Sequence, residues 1–109
     1  MTNQQPLTDQ AEADVLRYTE MLMEALTQDA PDDYTYAIDG GRKFHKVWMY
    51  RCGKRDSIHA FVDKKTGSVL KSASWKAPAK GERYNLLIIK EREWLLENAT
   101  WHGSYLYKR

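Results

Sequence analysis

A chain of 109 residues with 42% hydrophobic content, four Trp and seven Tyr suits one domain with a true core, and its composition argues against global disorder. Its longest apolar run, Leu86-Leu87-Ile88-Ile89, is far too short to span a bilayer, so no membrane-crossing helix is expected. The net charge of +2 hides two opposed blocks: residues 1–41 carry nine acids and one base (net −8), and residues 42–83 carry twelve bases and three acids (net +9). Such a field speaks to partners rather than to fold.

The acidic block opens with a predicted amphipathic helix over residues 9–28, after a lead (1–8) expected to be flexible. Ala11, Val15, Tyr18, Leu22 and Ala25 step by three and four residues and so fall on one stripe. Asp9 with Glu12 three residues on resembles a capping box, and Pro31 stops the helix. Met21 and Met23 widen the apolar surface and offer a contact for a homo-oligomer. The helical acids read as a solvated face; the competing readings are shielding of the basic block in cis, or mimicry of nucleic acid.

The basic block is β in character. Phe44, Lys46, Trp48, Tyr50 and Cys52 alternate with Lys43, His45, Val47, Met49 and Arg51. A tight connection at Gly53-Lys54-Arg55 predicts a second strand, Ser57–Asp63. The register that follows pairs Cys52 with Asp56, Tyr50 with Ile58, Trp48 with Ala60 and Lys46 with Val62; on the other side it pairs Met49 with His59 and Val47 with Phe61. Asp63-Lys64-Lys65-Thr66-Gly67 is a turn signal, with Asp63 capping the turn and Gly67 supplying positive φ. A third strand, Val69–Ala73, completes a meander over 42–73. Residues 74–83 read as an extended basic loop, because Pro78 excludes a central strand. A short helix over 87–98, with Asn85 as a possible cap, and a closing strand at 103–107 finish the chain. The expected fold is α+β: an antiparallel sheet of three to five short strands with both helices packed on it.

Charge and stacking surface coincide in this block. Trp75 offers a π-face for a base and Lys76 and Lys80 can neutralise phosphates, while Ala77 and Ala79 allow close approach. The alternative is that Trp75 plugs the sheet edge and the lysines are solvated flanks. Lys46, Lys54, Arg55, Trp75, Lys76 and Lys80 are the expected contacts. Trp48 and Tyr50 are set aside because they share a face with the apolar residues of the second strand. If four to six cations meet phosphate, affinity for a single strand falls with salt at a log–log slope of about −3 to −4.

Other chemistry finds no support in the pattern. His45, His59, His102 and Cys52 have no metal-ligand spacing, so neither a metal nor a cofactor is expected. No nucleophile motif or phosphate-binding loop occurs. Asp63 with Lys65 resembles a nuclease pair only faintly, and Cys52 lacks an identifiable base. No catalytic residue is expected.

The segments His59-Ala60-Phe61-Val62-Asp63-Lys64-Lys65-Thr66-Gly67 and Ala73-Ser74-Trp75-Lys76-Ala77-Pro78-Ala79-Lys80-Gly81, with the Gly103…Tyr105-Leu106-Tyr107 tail, resemble a group of small phage-encoded proteins. The resemblance covers the second half to two-thirds of the chain, with Ser74–Lys80 the most specific piece; the acidic helix lies outside it. It implies a phage origin and a host-cell setting, and it supplies no activity. The polar N-terminus and the single cysteine agree with a soluble protein of a reducing host cytoplasm. The expectation is thus a non-enzymatic accessory protein binding nucleic acid, single strands above duplex. The alternative is a protein–protein modulator of a host or defence factor.

Overall fold

The computed structural model describes residues 5–107. Helix α1 (Gln5–Asp29) leads into strands β1 (Tyr34–Gly40), β2 (Phe44–Arg51), β3 (Lys54–Asp63), β4 (Ser68–Ser72) and β5 (Pro78–Asn85). Helix α2 (Ile89–Asn98) and a 3-10 turn (Ser104–Tyr107) follow. All five strands pair antiparallel in chain order, so the fold is an α+β meander at the upper end of the expected strand count.

The stripe on α1 buries as its spacing requires. Val15, Leu22 and Leu26 are fully enclosed, and buried Thr19 satisfies its hydroxyl by donating to the Val15 carbonyl at 2.7 Å. The helix begins at Gln5, so Asp9 lies inside it rather than at its cap. Pro6 falls in the first turn, where its missing N–H forfeits no helical bond. Of the lead expected to be flexible, residues 5–8 are helical and residues 1–4 lie outside the described residues.

One face of the sheet packs under the helices through Tyr36, Val47, Ala60, Val62, Val69 and Tyr84. The other carries a separate cluster of Trp48, Ile58 and Phe61, edged by Phe44, Tyr50 and Leu70. This division follows from a register that differs from the expected one. The β2–β3 turn has two residues, Cys52 (φ 52°) and Gly53 (φ 79°), so Arg51 pairs with Lys54. Two positive φ values match the right-handed strand twist that a two-residue hairpin needs.

Two bulges, which leave Asp56 and His59 unpaired, then set Tyr50 opposite Arg55, Trp48 opposite Ile58 and Lys46 opposite Phe61. On the other side Met49 meets Ser57 and Val47 meets Ala60. Phe61 thereby moves to the face of Trp48, and Ala60 and Val62 move under the helices.

Three further expectations are corrected. The extended segment after β4 is a loop only to Ala77; Pro78 opens β5, an edge strand whose first residue tolerates a missing donor. Asn85 does not cap α2, whose N-cap Ile88 has no side-chain bond. Instead the Asn85 side-chain oxygen accepts from Leu87 N–H, and Glu91 accepts from Asn85 N–H, both at 2.8 Å. The tail is a 3-10 turn rather than a strand, with neighbours Tyr105 and Leu106 both buried. No helix among the described residues is long and apolar enough to cross a membrane.

Candidate nucleic-acid interface

The helix-free face of the sheet is where most of the expected contact residues converge. β2 presents Lys46, Trp48 and Tyr50 on this side by alternation, and the β3 register adds Phe61 and Arg55. Trp48 is 4% exposed although no helix covers it. Its cover is polar and aromatic. The Arg55 guanidinium lies 4.3 Å from the Trp48 ring centre, and Trp75 stands edge-on to it with centroids 5.3 Å apart and planes at 78°.

Arg55 is tethered along this path. Its Nε donates to the Tyr50 hydroxyl at 3.2 Å and its Nη2 stands 3.8 Å from an Asp39 oxygen. Lys46 donates from Nζ to the Trp75 carbonyl at 3.2 Å, while the same ammonium lies 5.9 Å from the Phe61 ring. These two cations therefore build and orient the aromatic surface, and part of their bonding capacity is already committed within the protein.

The loop that carries Trp75 is locally determined. Ala73 and Ser74 N–H both donate to the Ala77 carbonyl, at 3.2 and 3.1 Å. The Ser74 hydroxyl accepts from Lys76 N–H at 3.2 Å and Ala77 N–H at 3.3 Å, a serine turn that fixes the tip. Held this way, Trp75 is 57% exposed, the most exposed tryptophan of the four. Trp75 does not plug a sheet edge: it packs on Trp48 of the inner strand β2 and is otherwise open to solvent.

Lys76 and Lys80 are exposed on the same loop and the strand it enters, and neither has an acidic partner among the described residues. Lys54 stands apart. Its register partner is Arg51, at the hairpin tip and on the opposite side from Tyr50. Lys46, Arg55 and Trp75 thus meet in one neighbourhood, Lys76 follows Trp75 in its loop, Lys80 lies on the strand that loop enters, and Lys54 stands apart.

Sequence reasoning set aside Trp48 and Tyr50 as core, yet both are structural members of this surface. The signal was present in the alternation that groups them with Lys46; what it lacked was the register placing Arg55 and Phe61 beside them. The buried Trp48 indole N–H has no acceptor among the described residues, the orphan donor of the site.

The titratable groups considered for metal or catalysis lie elsewhere. His59 Nε2 and the Tyr105 hydroxyl share a 2.6 Å hydrogen bond on the helix-covered side; burial, with the nearby His102, pulls the His59 pKa down to about 4. Cys52 is exposed at the hairpin tip. Asp63 accepts from Lys65 and Thr66 N–H at 2.9 and 3.0 Å, as a turn cap does. Burial raises its carboxyl pKa, but those two N–H groups, the Thr66 hydroxyl and the Lys43 charge outweigh it and hold it below the ordinary value. Among the described residues no three His, Cys, Asp or Glu side chains converge as metal ligands.

No curated protein and no solved structure matches this chain. A family model described as "Family of unknown function (DUF7717)" matches residues 1–108, nearly the whole sequence. The chain therefore belongs to the DUF7717 family.

Proposed function

We propose that this protein is a non-enzymatic accessory protein that binds single-stranded nucleic acid on the helix-free face of its sheet. The observation that carries the reading is the half-exposed Trp75 indole, braced on Trp48 and held by Lys46, with exposed Lys76 next in the chain and exposed Lys80 on the strand its loop enters. An indole held rigid in advance loses little entropy when a base stacks on it, and such stacking is worth about 1–3 kcal/mol per base. Lys76 and Lys80 take the phosphate-neutralising role, while Lys46 and Arg55 position the rings. A duplex hides its base faces, so a single strand suits this surface better. The segments His59–Gly67 and Ser74–Lys80, similar to those of small phage-encoded proteins, support a phage origin and action in the host cytoplasm; fractionation of a tagged copy in a bacterial host tests that setting.

A fluorescence-anisotropy titration with a labelled oligothymidylate at two salt concentrations tests the binding reading. The expected results are a log–log salt slope of about −1.4 from Lys76 and Lys80, rising to about −3 if Lys46 and Arg55 also meet phosphate, and a roughly 5- to 150-fold loss of affinity in Trp75→Ala. Binding that ignores salt, or that survives Trp75→Ala unchanged, overturns it.

A second reading, modulation of a host protein, is favoured by the exposed row Leu87, Ile88 and Ile89 with Trp94 nearby in sequence. A pull-down from nuclease-treated host lysate that yields a stoichiometric protein partner, lost on Ile89→Lys, supports it; recovery of no such protein counts against it.

A further inference from the structure

A second concentration of positive charge lies away from the Trp75 surface. The β1–β2 turn and the β3–β4 turn sit at the same end of the sheet, stitched together by the Lys64 N–H donating to the Lys43 carbonyl at 3.0 Å. Between these turns and α1 lies a cavity of about 420 Å³. Arg42, Lys43, Lys64 and Lys65 line it, and the acids that face them among the described residues are Glu12 and Asp63. Asp63 is occupied by its own turn N–H groups, so the cations outnumber the free acids by more than the bare count suggests.

An adjoining cavity shares Glu12 and Lys64 and adds His45. His45 is 8% exposed, and its Nδ1 is buried with no partner among the described residues. A Cβ built on Gly40, the cross-strand partner of His45, stands 3.9 Å from that nitrogen and 3.5 Å from Lys64 Nζ. The two nitrogens therefore converge over the one residue in β1 that has no side chain, which leaves a cradle where a Cβ would sit. Burial, followed by the Lys64 charge, lowers the His45 pKa against the opposing pull of Glu20 and Glu12, which favours a neutral ring able to present one N–H.

We propose that this cleft binds a cluster of phosphates, as carried by an inorganic polyphosphate or the phosphate chain of a nucleoside polyphosphate. His45 Nδ1–H and Lys64 seat one phosphate over Gly40, and Arg42, Lys43 and Lys65 receive the others. Several adjacent anionic phosphoryl groups match four cations better than a single carboxylate does, and guanidinium with ammonium is the usual donor set for them. The volume is within the range of small-molecule sites. This site is independent of the Trp75 surface and stands or falls separately from it.

Calorimetric and NMR titration of the full chain with inorganic tripolyphosphate tests the proposal, with adenosine triphosphate as a second arm. Saturable binding that shifts the amides of residues 40–45 and 63–67 is expected. Lys64→Gln and His45→Gln should each weaken it at least about tenfold, the loss of one charge-assisted bond. Gly40→Val fills the cradle with a side chain suited to a strand, so it should abolish binding while the thermal midpoint holds. Trp75→Ala should leave it unchanged. Equal affinity in both arms supports a site for the phosphate chain alone, and tighter adenosine triphosphate binding supports one that also holds the nucleoside. Absent saturation, shifts spread over all lysines, or a Gly40→Val variant that binds normally overturns the proposal. If His45→Gln does not fold, Gly40→Val and Lys64→Gln decide alone.

Discussion

Cys52 adopts φ 52°, the only non-glycine among the described residues with positive φ. A left-handed conformation costs an ordinary L-residue roughly 1–2 kcal/mol and asparagine less, and Asn-Gly is the preferred pair for this turn. The Cys52 side chain is exposed and unbonded, so nothing is lost with it. Cys52→Asn should therefore stabilise the protein by about 1 kcal/mol, read as a rise in the urea midpoint at constant m-value. An unchanged or lower midpoint refutes it.

His59 gives a pH signature at the same scale. Its pKa in the folded protein is about 4 against an ordinary 6.5, so between these values the unfolded chain binds more protons than the folded one. Stability is then complete above about pH 6.5 and declines as pH falls to 4, by about 3 kcal/mol. His45 adds a smaller decline of the same sign. The depressed Asp63 carboxyl acts below this window, because its stabilisation is lost only as pH falls through a value under 3.8. His59→Gln keeps a partner for Tyr105 and does not titrate. It should flatten most of the slope between pH 6.5 and 4 in chemical denaturation, and a slope as steep as wild type's would exclude His59 as its source.

At the scale of elements, the turns show how space and conformation combine. Gly53 (φ 79°) has nothing within 4 Å of an added Cβ, whereas at Gly67 (φ 78°) a Cβ meets Leu87 Cγ at 3.0 Å and the Asn85 side-chain oxygen at 3.1 Å. Gly53→Ala should cost roughly 1–2 kcal/mol, the conformational term alone. Gly67→Ala should cost about 1–3 kcal/mol more, because it also displaces the segment entering α2. Equal losses in thermal or urea melts would mean that this segment yields freely.

Elements were legible where one face of a periodic segment is buried. The α1 stripe and the alternation through β2 could be read directly. β1 was missed although Tyr34, Tyr36 and Ile38 alternate, because Asp32, Asp33 and Asp39 give its surroundings the look of a solvated linker. β5 was hidden by Pro78 and Gly81, which disqualify a central strand and not an edge one. The bulges at Asp56 and His59 leave no mark in composition, so the register, and with it the partnership of Arg55 with Trp48, needed the fold. The tail became a 3-10 turn through tertiary bonds, His59 to Tyr105 and Tyr84 to the Tyr105 carbonyl, that no local pattern announces.

For the molecule as a whole, the two charge blocks interleave at one end of the sheet, where Arg42, Lys43, Lys64 and Lys65 face Glu12 of α1, and separate at the Trp75 surface. Glu20 and Glu24 are exposed on α1, whereas Trp75 packs on Trp48 on the opposite face of the sheet, with Lys76 next to it in the chain. A helix layer stands roughly 10 Å above a sheet, which places those carboxylates about 20 Å from a strand bound at Trp75. That exceeds the screening length of about 8 Å at 0.15 M salt but not the 30 Å at 0.01 M. Two charges repelling about four phosphates at this range amount to roughly 0.1 kcal/mol at the higher salt and 0.8 kcal/mol at the lower. Glu20→Gln with Glu24→Gln should thus tighten single-strand binding by less than about 1.5-fold at 0.15 M and about fourfold at 0.01 M. Lys76→Gln with Lys80→Gln should weaken it at both. Anisotropy titrations of the two double variants at the two salts separate distant field from direct contact. An effect of the glutamate pair that persists at 0.15 M would put the ligand on the helix side and remove the Trp75 surface from consideration.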